Sequence, residues 1–283
     1  MPVKDRRRHY PSDLTDAQWE LIKHLLPRAR CGGRPRSTDI RQVVCGILYL
    51  VSTGGAWRYL PNDFPPWKTV YHYYRTWSFA GVWRLIHEEL KRMSREAAGK
   101  RADPTYLIID SQSVRAQSGE KLGYDGFKRV RGRKRQIVVD TLGFVHGVHI
   151  HRANLSDNKE AELLLEKLPQ KLVGKIQVLS ADLGYRGAFE EKCKIKFGFY
   201  PLIGRRENTG QGRRKTTQEK KEWARSRPLI EQPKRWIVER TFAWFNGYRR
   251  LNRDYEKSVL SSETMIYLGM TQLMMRRQQR KSL

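Results

Sequence analysis

The stretch Tyr106-Leu107-Ile108-Ile109-Asp110 decides the fold of this 283-residue chain. A short apolar run with β-branched residues is typical of a buried strand, and here it ends in an acid. A second run, Gln136 to Val139, ends in Asp140, and a Thr-Leu-Gly turn leads back into a third, Phe144 to His151. This part of the chain is therefore predicted to form a sheet.

Later runs extend the predicted sheet. Lys175 to Leu179 predicts a fourth strand, closely followed by Asp182, and Phe197 to Ile203 predicts a fifth. A helix capped at Ser156/Asp157 lies between the third and fourth strands. The order strand, strand, strand, helix, strand, helix, strand predicts an α/β fold with a mixed sheet.

Before the sheet, residues 10 to about 98 have helical periodicity. Thr15-Asp16-Ala17-Gln18 is a capping box, and Ser37-Thr38-Asp39 caps an apolar helix that Gly54-Gly55 ends. A basic, aromatic helix is expected at 67–77 and another from about Val82 to Met93. We therefore expect a helical region over 1–100 and an α/β region over 101–283.

The helix at 67–77 allows two interpretations. Two helices joined through a Gly/Pro turn are similar to a helix-turn-helix, which would place Lys68, His72 and Arg75 on a DNA-reading face. The alternative is a helical bundle in which the aromatic residues are core and the cations face solvent. The pattern alone leaves both open.

The charge of the chain indicates a polyanionic partner. Lys and Arg total 56 against 29 Asp and Glu, a net charge of +27, which opposes compaction unless a partner neutralises it. Membrane is the weaker choice, because the longest apolar stretch, Val43 to Val51, is far short of the roughly 20 residues that a spanning helix needs. The N-terminus shows no signal peptide, so we expect a cytoplasmic protein that binds nucleic acid.

Two basic segments suit contact with phosphate. We expect a long link over 111–135, in which residues 121–135 carry seven Lys or Arg and one Asp, and a second link over 204–235 with eleven Lys or Arg and four Glu. The alternative is a flexible, solvated surface. Cys31, Cys45 and Cys193 are widely spaced without a C-x-x-C pair, so we expect reduced thiols and no zinc.

Three carboxylates are candidates for chemistry. Asp110 and Asp182 follow apolar strands, and reactive groups gather where strands of α/β sheets end. Glu239 lies in a segment, 235–245, that is apolar nearly all round as a helix, where it would either pair with Arg235 or Arg240 or face the two aspartates. Clustered carboxylates repel unless a divalent cation joins them, and oxygen ligands suit Mg²⁺ or Mn²⁺.

Two other acids compete for these roles. Asp140 also ends a strand, but it leads into a tight turn, and Asp157 resembles a helix cap. Both are therefore expected to be structural.

Several blocks of the chain resemble one family in order, from about residue 10 to 275. They are Ile108-Ile109-Asp110-Ser111-Gln112-Ser113-Val114, Gly132-Arg133-Lys134-Arg135, Val138-Val139-Asp140-Thr141-Leu142-Gly143, Ala181-Asp182-Leu183-Gly184-Tyr185-Arg186-Gly187, Trp236-Ile237-Val238-Glu239-Arg240-Thr241-Phe242-Ala243-Trp244, Arg249-Arg250-Leu251 and Asp254-Tyr255-Glu256. These blocks resemble the DDE transposases of small bacterial insertion sequences.

The resemblance implies a ribonuclease-H-like catalytic core behind an N-terminal helical DNA-binding region. It places the triad on Asp110, Asp182 and Glu239, which would bind two Mg²⁺ or Mn²⁺ ions, with Asp110 bridging them. Water would cut a phosphodiester at the element's end, and the freed 3′-hydroxyl would attack target DNA. The implied partners are terminal inverted repeats, target DNA and further copies of the chain, as a homodimer or a higher oligomer.

The expected DNA contacts combine the helix face, the basic segments and the last blocks. They are Lys68, His72, Arg75, Lys128, Arg133, Lys134, Arg135, Arg235, Arg249 and Arg250. The chain departs from related signatures at Gln232 and Asn246, where those carry Tyr and Lys, and Arg249 or Arg250 is expected to substitute. Two other functions stay open: a metal-dependent nuclease that cuts without joining, and a non-catalytic DNA-binding regulator.

Overall fold

The chain folds as a group of N-terminal helices followed by an α/β unit. The structure, a computed structural model, describes residues 8–29, 32, 35–206, 229–230 and 234–281. Its helices are α1 (Asp16–Ile22), α2 (Ile40–Thr53), α3 (Trp67–Phe79), α4 (Val82–Glu96), α5 (Asp157–Glu166), α6 (Gln170–Val173), α7 (Ala188–Ile195), α8 (Trp236–Asn246), α9 (Arg249–Asn252) and α10 (Val259–Lys281). Its strands are β1 (Tyr106–Arg115), β2 (Gly123–Asp125), β3 (Val130–Asp140), β4 (Val145–Arg152), β5 (Val178–Ala181), β6 (Tyr200–Ile203), β7 (Arg205–Arg206) and β8 (Leu229–Ile230).

The predicted start and stop signals set the first helices. Thr15 and Gln18 form the capping box of α1, and the Asp39 side chain caps α2. Gly54 ends α2 with φ of 76°, in the left-handed region that glycine adopts without a Cβ penalty. The helical prediction for this part of the chain is confirmed.

The main sheet is mixed. Its order is β2-β3-β1-β5-β6, and β4 also pairs with β3. The β1–β3 and β3–β4 pairs are antiparallel, whereas the β1–β5 and β5–β6 pairs are parallel. The predicted α/β fold with a ribonuclease-H-like mixed sheet behind a helical region is confirmed.

Alternate residues of the central strands serve two apolar cores. Ile108 of β1 belongs to a core shared with α2, α3, α4, α8 and α10. Leu107 and Ile109 belong to the opposite core, with α5, α6 and α7. Because successive strand side chains point to opposite faces, both faces of β1 are covered and the strand is fixed at the centre of the molecule.

The predicted long link at 111–135 is wrong in its first and last parts. β1 continues through Asp110 to Arg115, and β3 already begins at Val130, so the two strands pair from Leu107↔Asp140 to Arg115↔Gly132. We refer to the paired β1 and β3 strands as the β1–β3 ribbon. Its polar part was not predicted, because sequence periodicity detects only strands that bury apolar side chains. Asp110 consequently lies within a strand and not at its end.

The last helix returns to the first ones. α10 packs against α4 and β4, and its apolar residues join the core of the N-terminal helices. Residues 97–105 connect α4 to β1, so the expected boundary near residue 100 falls between these two elements. In the described residues no helix is long and apolar enough to cross a membrane.

Gly143 fixes α8 against the turn between β3 and β4. Its φ is 83°, and a Cβ there would lie 2.8 Å from the Trp244 ring and 2.9 Å from Thr241 Oγ1. We expect Gly143→Ala to lower the free energy of unfolding by at least about 2 kcal/mol, through backbone strain and displacement of α8. Urea unfolding measures this loss. Gly126→Ala is the control, because Gly126 has no positive φ and open space around it; equal stability of the two variants would contradict this packing.

Candidate active site

Two aspartates emerge side by side from the centre of the sheet. β1 and β5 pair in parallel from Tyr106↔Val178 to Ile108↔Ser180, and the same register sets Asp110 next to Asp182, directly after the end of β5. Neighbours in register point to the same face of a sheet. The apolar residues that bury β1 and β5 therefore bring these carboxylates together.

The environment of Asp110 disfavours its charged form. Burial, with a smaller contribution from the charge of Asp182, raises the pKa of Asp110 to about 7. A hydrogen bond from the Ser111 N–H at 2.7 Å and the charges of Lys128 and Arg235 oppose this rise without cancelling it. A cation at the two aspartates would relieve the remaining cost.

Asp182 is held by the turn that it begins. Its carboxylate caps the short 3-10 helix Leu183–Tyr185 and accepts the Gly184 N–H at 2.9 Å. Tyr185 is buried, and Gln136 of β3 donates to its hydroxyl at 2.9 Å. Since burial and the charge of Asp110 both raise the Tyr185 pKa, this hydroxyl stays neutral next to the aspartates.

The β2–β3 loop brings a lysine towards the same place. Asp125 accepts hydrogen bonds from the Ser113 hydroxyl at 2.5 Å and from the Phe127 and Lys128 N–H groups at 3.0 Å each. These bonds tie the loop to β1. Lys128 is exposed, and its charge acts on Asp110.

Glu239 lies in the first turn of α8, where it is paired with an arginine. Its side chain is 51% exposed, which corrects the expectation that this helix buries it, and Arg235 Nη1 lies 3.1 Å from its carboxylate. The Arg235 pair that the sequence left open as an alternative is thus present. Arg235 also lowers the Asp110 pKa, so the same guanidinium acts on both carboxylates.

Two of the three carboxylates of the predicted triad are placed so that they suit a hard divalent cation. Asp110 and Asp182 offer carboxylate oxygens, and neither forms an ion pair with a described residue. Within the described ranges, no three acidic, histidine or cysteine side chains are grouped so that they could hold a metal ion. The structure therefore brings together two members of the predicted triad and leaves Glu239 bonded to Arg235.

The rival aspartates are occupied by structural bonds. Although burial alone would raise it, the hydrogen bond from His146 and the charge of Arg95 hold the pKa of Asp140 at about 2. Asp140 also accepts the Leu142 and Phe144 N–H groups of its turn. Asp157 opens α5 and pairs with Lys134 at 3.0 Å.

The polar face of α3 is exposed, as both interpretations of this helix predict. Lys68, His72 and Arg75 share one side of the helix and border a depression of about 380 Å³. Arg75 lies over the ring of Phe79, whose side chain is exposed. The DNA-reading role of this face stays a prediction.

Three of the expected DNA contacts are buried instead. Arg133 is fully buried against Asp254, Arg135 donates to the Leu251 carbonyl at 2.5 Å, and Arg250 pairs with Glu256. Their guanidinium groups face the interior, which corrects the expectation that they contact DNA. Arg133 and Arg135 share one face of β3, which is covered at these two positions, whereas Arg250 is buried in α9.

The other expected DNA contacts differ in how exposed their side chains are. Lys134 is mostly covered, whereas Arg249 is exposed. Asn246, at the end of α8, is exposed, and Gln232 lies outside the described residues, as does most of the basic segment 204–235. The sequence did not predict the roles of Gln136, which bonds to Tyr185, and of Asp125, which holds the loop of Lys128. Single polar residues in strands and turns carry no distinctive spacing.

Two family models match the chain. One, described as "Putative transposase of IS4/5 family", matches residues 14–87 and ends within α4. The other, described as "Transposase DDE domain", matches residues 101–274, from just before β1 into α10. The second match contains both aspartates and Glu239.

Bacterial proteins show further similarity. "Insertion element IS402 uncharacterized 16.2 kDa protein" of Burkholderia cepacia is 35% identical over 118 residues, which is 39% of this chain and 78% of the relative. "Uncharacterized protein y4sN" of Sinorhizobium fredii is 35% identical over 103 residues, 36% of this chain and 76% of the relative. "Putative transposase for insertion sequence element IS402" of Burkholderia cepacia is 29% identical over 171 residues, 58% of this chain and 71% of the relative.

Proposed function

Because the chain belongs to the DDE transposase family of insertion sequences, we propose that it cuts DNA at the ends of its element and joins the freed 3′-hydroxyls to target DNA. The observation that carries this proposal is the in-register pair of Asp110 and Asp182, where partial burial raises the Asp110 pKa to about 7. Such a pair is costly to the metal-free protein and suits a site built for cations.

Asp110 and Asp182 would hold Mg²⁺ or Mn²⁺ ions, with Glu239 as the third ligand. When bound, the metal supplies the Lewis acidity that activates the attacking hydroxyl and stabilises the leaving oxygen of an in-line displacement. The half-exposed position of Glu239 in the first turn of α8 supports its inclusion, since its only described ion pair is with Arg235.

The chain's own cations orient the phosphate. The positive charges of Lys128 and Arg235 both act on Asp110, so a phosphodiester at the aspartates would lie within their reach. When Glu239 takes up a metal ligand role, Arg235 is released to bind a phosphate oxygen through its planar fork of donors. Joining both element ends to one target needs two such sites, so we propose a homodimer or a higher oligomer.

Strand-transfer assays with the full chain test the function. With duplexes that end in the element's inverted repeats, a plasmid target and Mg²⁺, we expect nicked ends and then products joined to the plasmid. Asp182→Asn removes one ligand and is expected to abolish both products, whereas Glu191→Gln, an exposed carboxylate on α7, leaves them unchanged. Nicking without joining would indicate a nuclease, and DNA binding without either product a regulator.

A further inference from the structure

A groove lined by arginines lies at the end of the β1–β3 ribbon where β1 ends and β3 begins. Its lining includes Arg115, Arg129, Arg131 and Arg253, together with Asp254 and Tyr255, and it encloses about 460 Å³. All four arginines are exposed, and the Tyr255 side chain is 52% exposed. We refer to this surface as the arginine groove.

A buried ion pair builds the floor of the arginine groove. The Asp254 N–H donates to the Arg115 carbonyl at 2.8 Å, which joins the end of β1 to the segment after α9. Arg133, a fully buried residue of β3, bonds to the Asp254 carboxylate at 3.0 Å and donates to the carbonyls of Glu120, Glu256 and Lys257. Four fixed donors on one guanidinium hold these segments in a single arrangement.

The positive charge of the groove is not neutralised from within. Asp254 is 3% exposed, and its carboxylate is already bonded to Arg133, to the Ser262 hydroxyl at 2.5 Å and to the Glu256 N–H at 3.0 Å. None of the four arginines forms an ion pair with a carboxylate in the described part of the chain. Four guanidinium groups held around one concave surface repel one another unless an anion binds between them.

We propose that the arginine groove binds the phosphodiester backbone of duplex DNA. Arginine pairs with phosphate oxygens through two parallel hydrogen bonds, so several arginines in a groove suit a chain of phosphates. The register of β1 and β3 sets Arg131 opposite Ala116, six residues beyond Asp110 and on the same face, roughly 20 Å away at the rise of a strand. That distance is a little over half a turn of B-DNA, about 34 Å long, so a duplex engaged at the aspartates can extend into the groove. This proposal rests on the proposed function, which makes DNA the substrate.

The salt dependence of DNA affinity tests the groove. Fluorescence anisotropy of a labelled duplex of arbitrary sequence is measured with the full chain between about 50 and 200 mM KCl, where each phosphate contact contributes about 0.9 to the slope of log affinity against log salt. For Arg131→Gln/Arg253→Gln we expect the slope to fall by about 2 and the affinity to fall about tenfold or more. For Arg131→Lys/Arg253→Lys we expect most of the slope to remain, since the charges are kept.

The matched control removes the same charge elsewhere. Lys171→Gln/Lys194→Gln takes two exposed cations from α6 and α7, outside the groove, and is expected to leave the slope unchanged. Equal slopes for the wild type and Arg131→Gln/Arg253→Gln would overturn the proposal that the arginine groove binds DNA, while leaving the proposed function intact. No binding by the wild type would overturn the proposed function itself. Thermal unfolding checks that each variant is folded.

Discussion

Asp110→Asn is expected to abolish strand cleavage, by a factor of at least about 10³, and at the same time to stabilise the metal-free protein. The loss follows because the amide cannot hold a divalent cation as the carboxylate does. The gain follows because the amide carries no charge into the partly buried position beside Asp182. Substitution of a residue with a purely structural role would not lower the cleavage rate and raise the free energy of unfolding at the same time.

The size of this stabilisation depends on pH. Burial raises the Asp110 pKa to about 7 in the folded protein, so between about pH 4 and pH 7 the folded state binds more protons than the unfolded state at this group. The stability of the wild type therefore falls as pH rises through this window, by at most about 4 kcal/mol, and Asp110→Asn lacks that loss. Below about pH 4 the two proteins are expected to be equally stable.

Urea unfolding in EDTA on both sides of this window measures the effect. Glu191→Gln is the control, because this exposed carboxylate should shift neither stability nor activity. Retained cleavage by Asp110→Asn would defeat the catalytic assignment. A variant that is less stable than the wild type at pH 8 would defeat the electrostatic description of the site.

Arg133→Gln is expected to lower the free energy of unfolding by about 3–5 kcal/mol, the usual cost of leaving a buried charge unpaired. The variant removes the partner of the buried Asp254 carboxylate and the donors to three carbonyl groups. Urea unfolding at neutral pH measures the loss. The double variant Arg133→Gln/Asp254→Asn is expected to recover part of it, because no buried charge is then left alone.

Arg131→Gln is the matched control for Arg133→Gln. Arg131 lies two residues earlier on the same strand but is exposed, so its loss should change stability by less than about 0.5 kcal/mol. If Arg133→Gln unfolded like the wild type but bound DNA more weakly, the sequence expectation that Arg133 contacts DNA would be right and the structural role wrong.

The apolar runs of the sequence predicted the sheet and its central acids. Ile108, Ile109 and Leu179 are buried on one face or the other of the sheet, and burial of this kind leaves a periodic signal. The fourth strand was placed slightly early: Lys175 to Leu179 was predicted, and β5 spans Val178–Ala181. This difference moves Asp182 closer to the strand end than expected.

Polar elements escaped sequence reasoning for a physical reason. Residues 111–115 form a strand because Ser111 to Arg115 pair with β3, and this long-range pairing is invisible locally. The helix α10 (Val259–Lys281) was not predicted from the sequence, and its apolar stretch packs on α4 and β4. Tertiary contacts decide both elements.

Charge patterns in the sequence did not show which side chains would be exposed. Arg133 and Arg131 share a run and a strand, but the first is covered and the second is not. The segment that contains Glu239 is apolar nearly all round as a helix, whereas only one side of α8 is covered, by the sheet and the neighbouring helices. Which residues could reach DNA therefore became apparent only from the packing.

Anomalous diffraction from crystals of the full chain soaked in Mn²⁺ tests the metal site most directly. We expect an anomalous peak within coordination distance of the Asp110 and Asp182 carboxylates, with Glu239 turned from Arg235 towards it. Manganese bound only elsewhere, with these two aspartates free of it, would contradict the proposed active site.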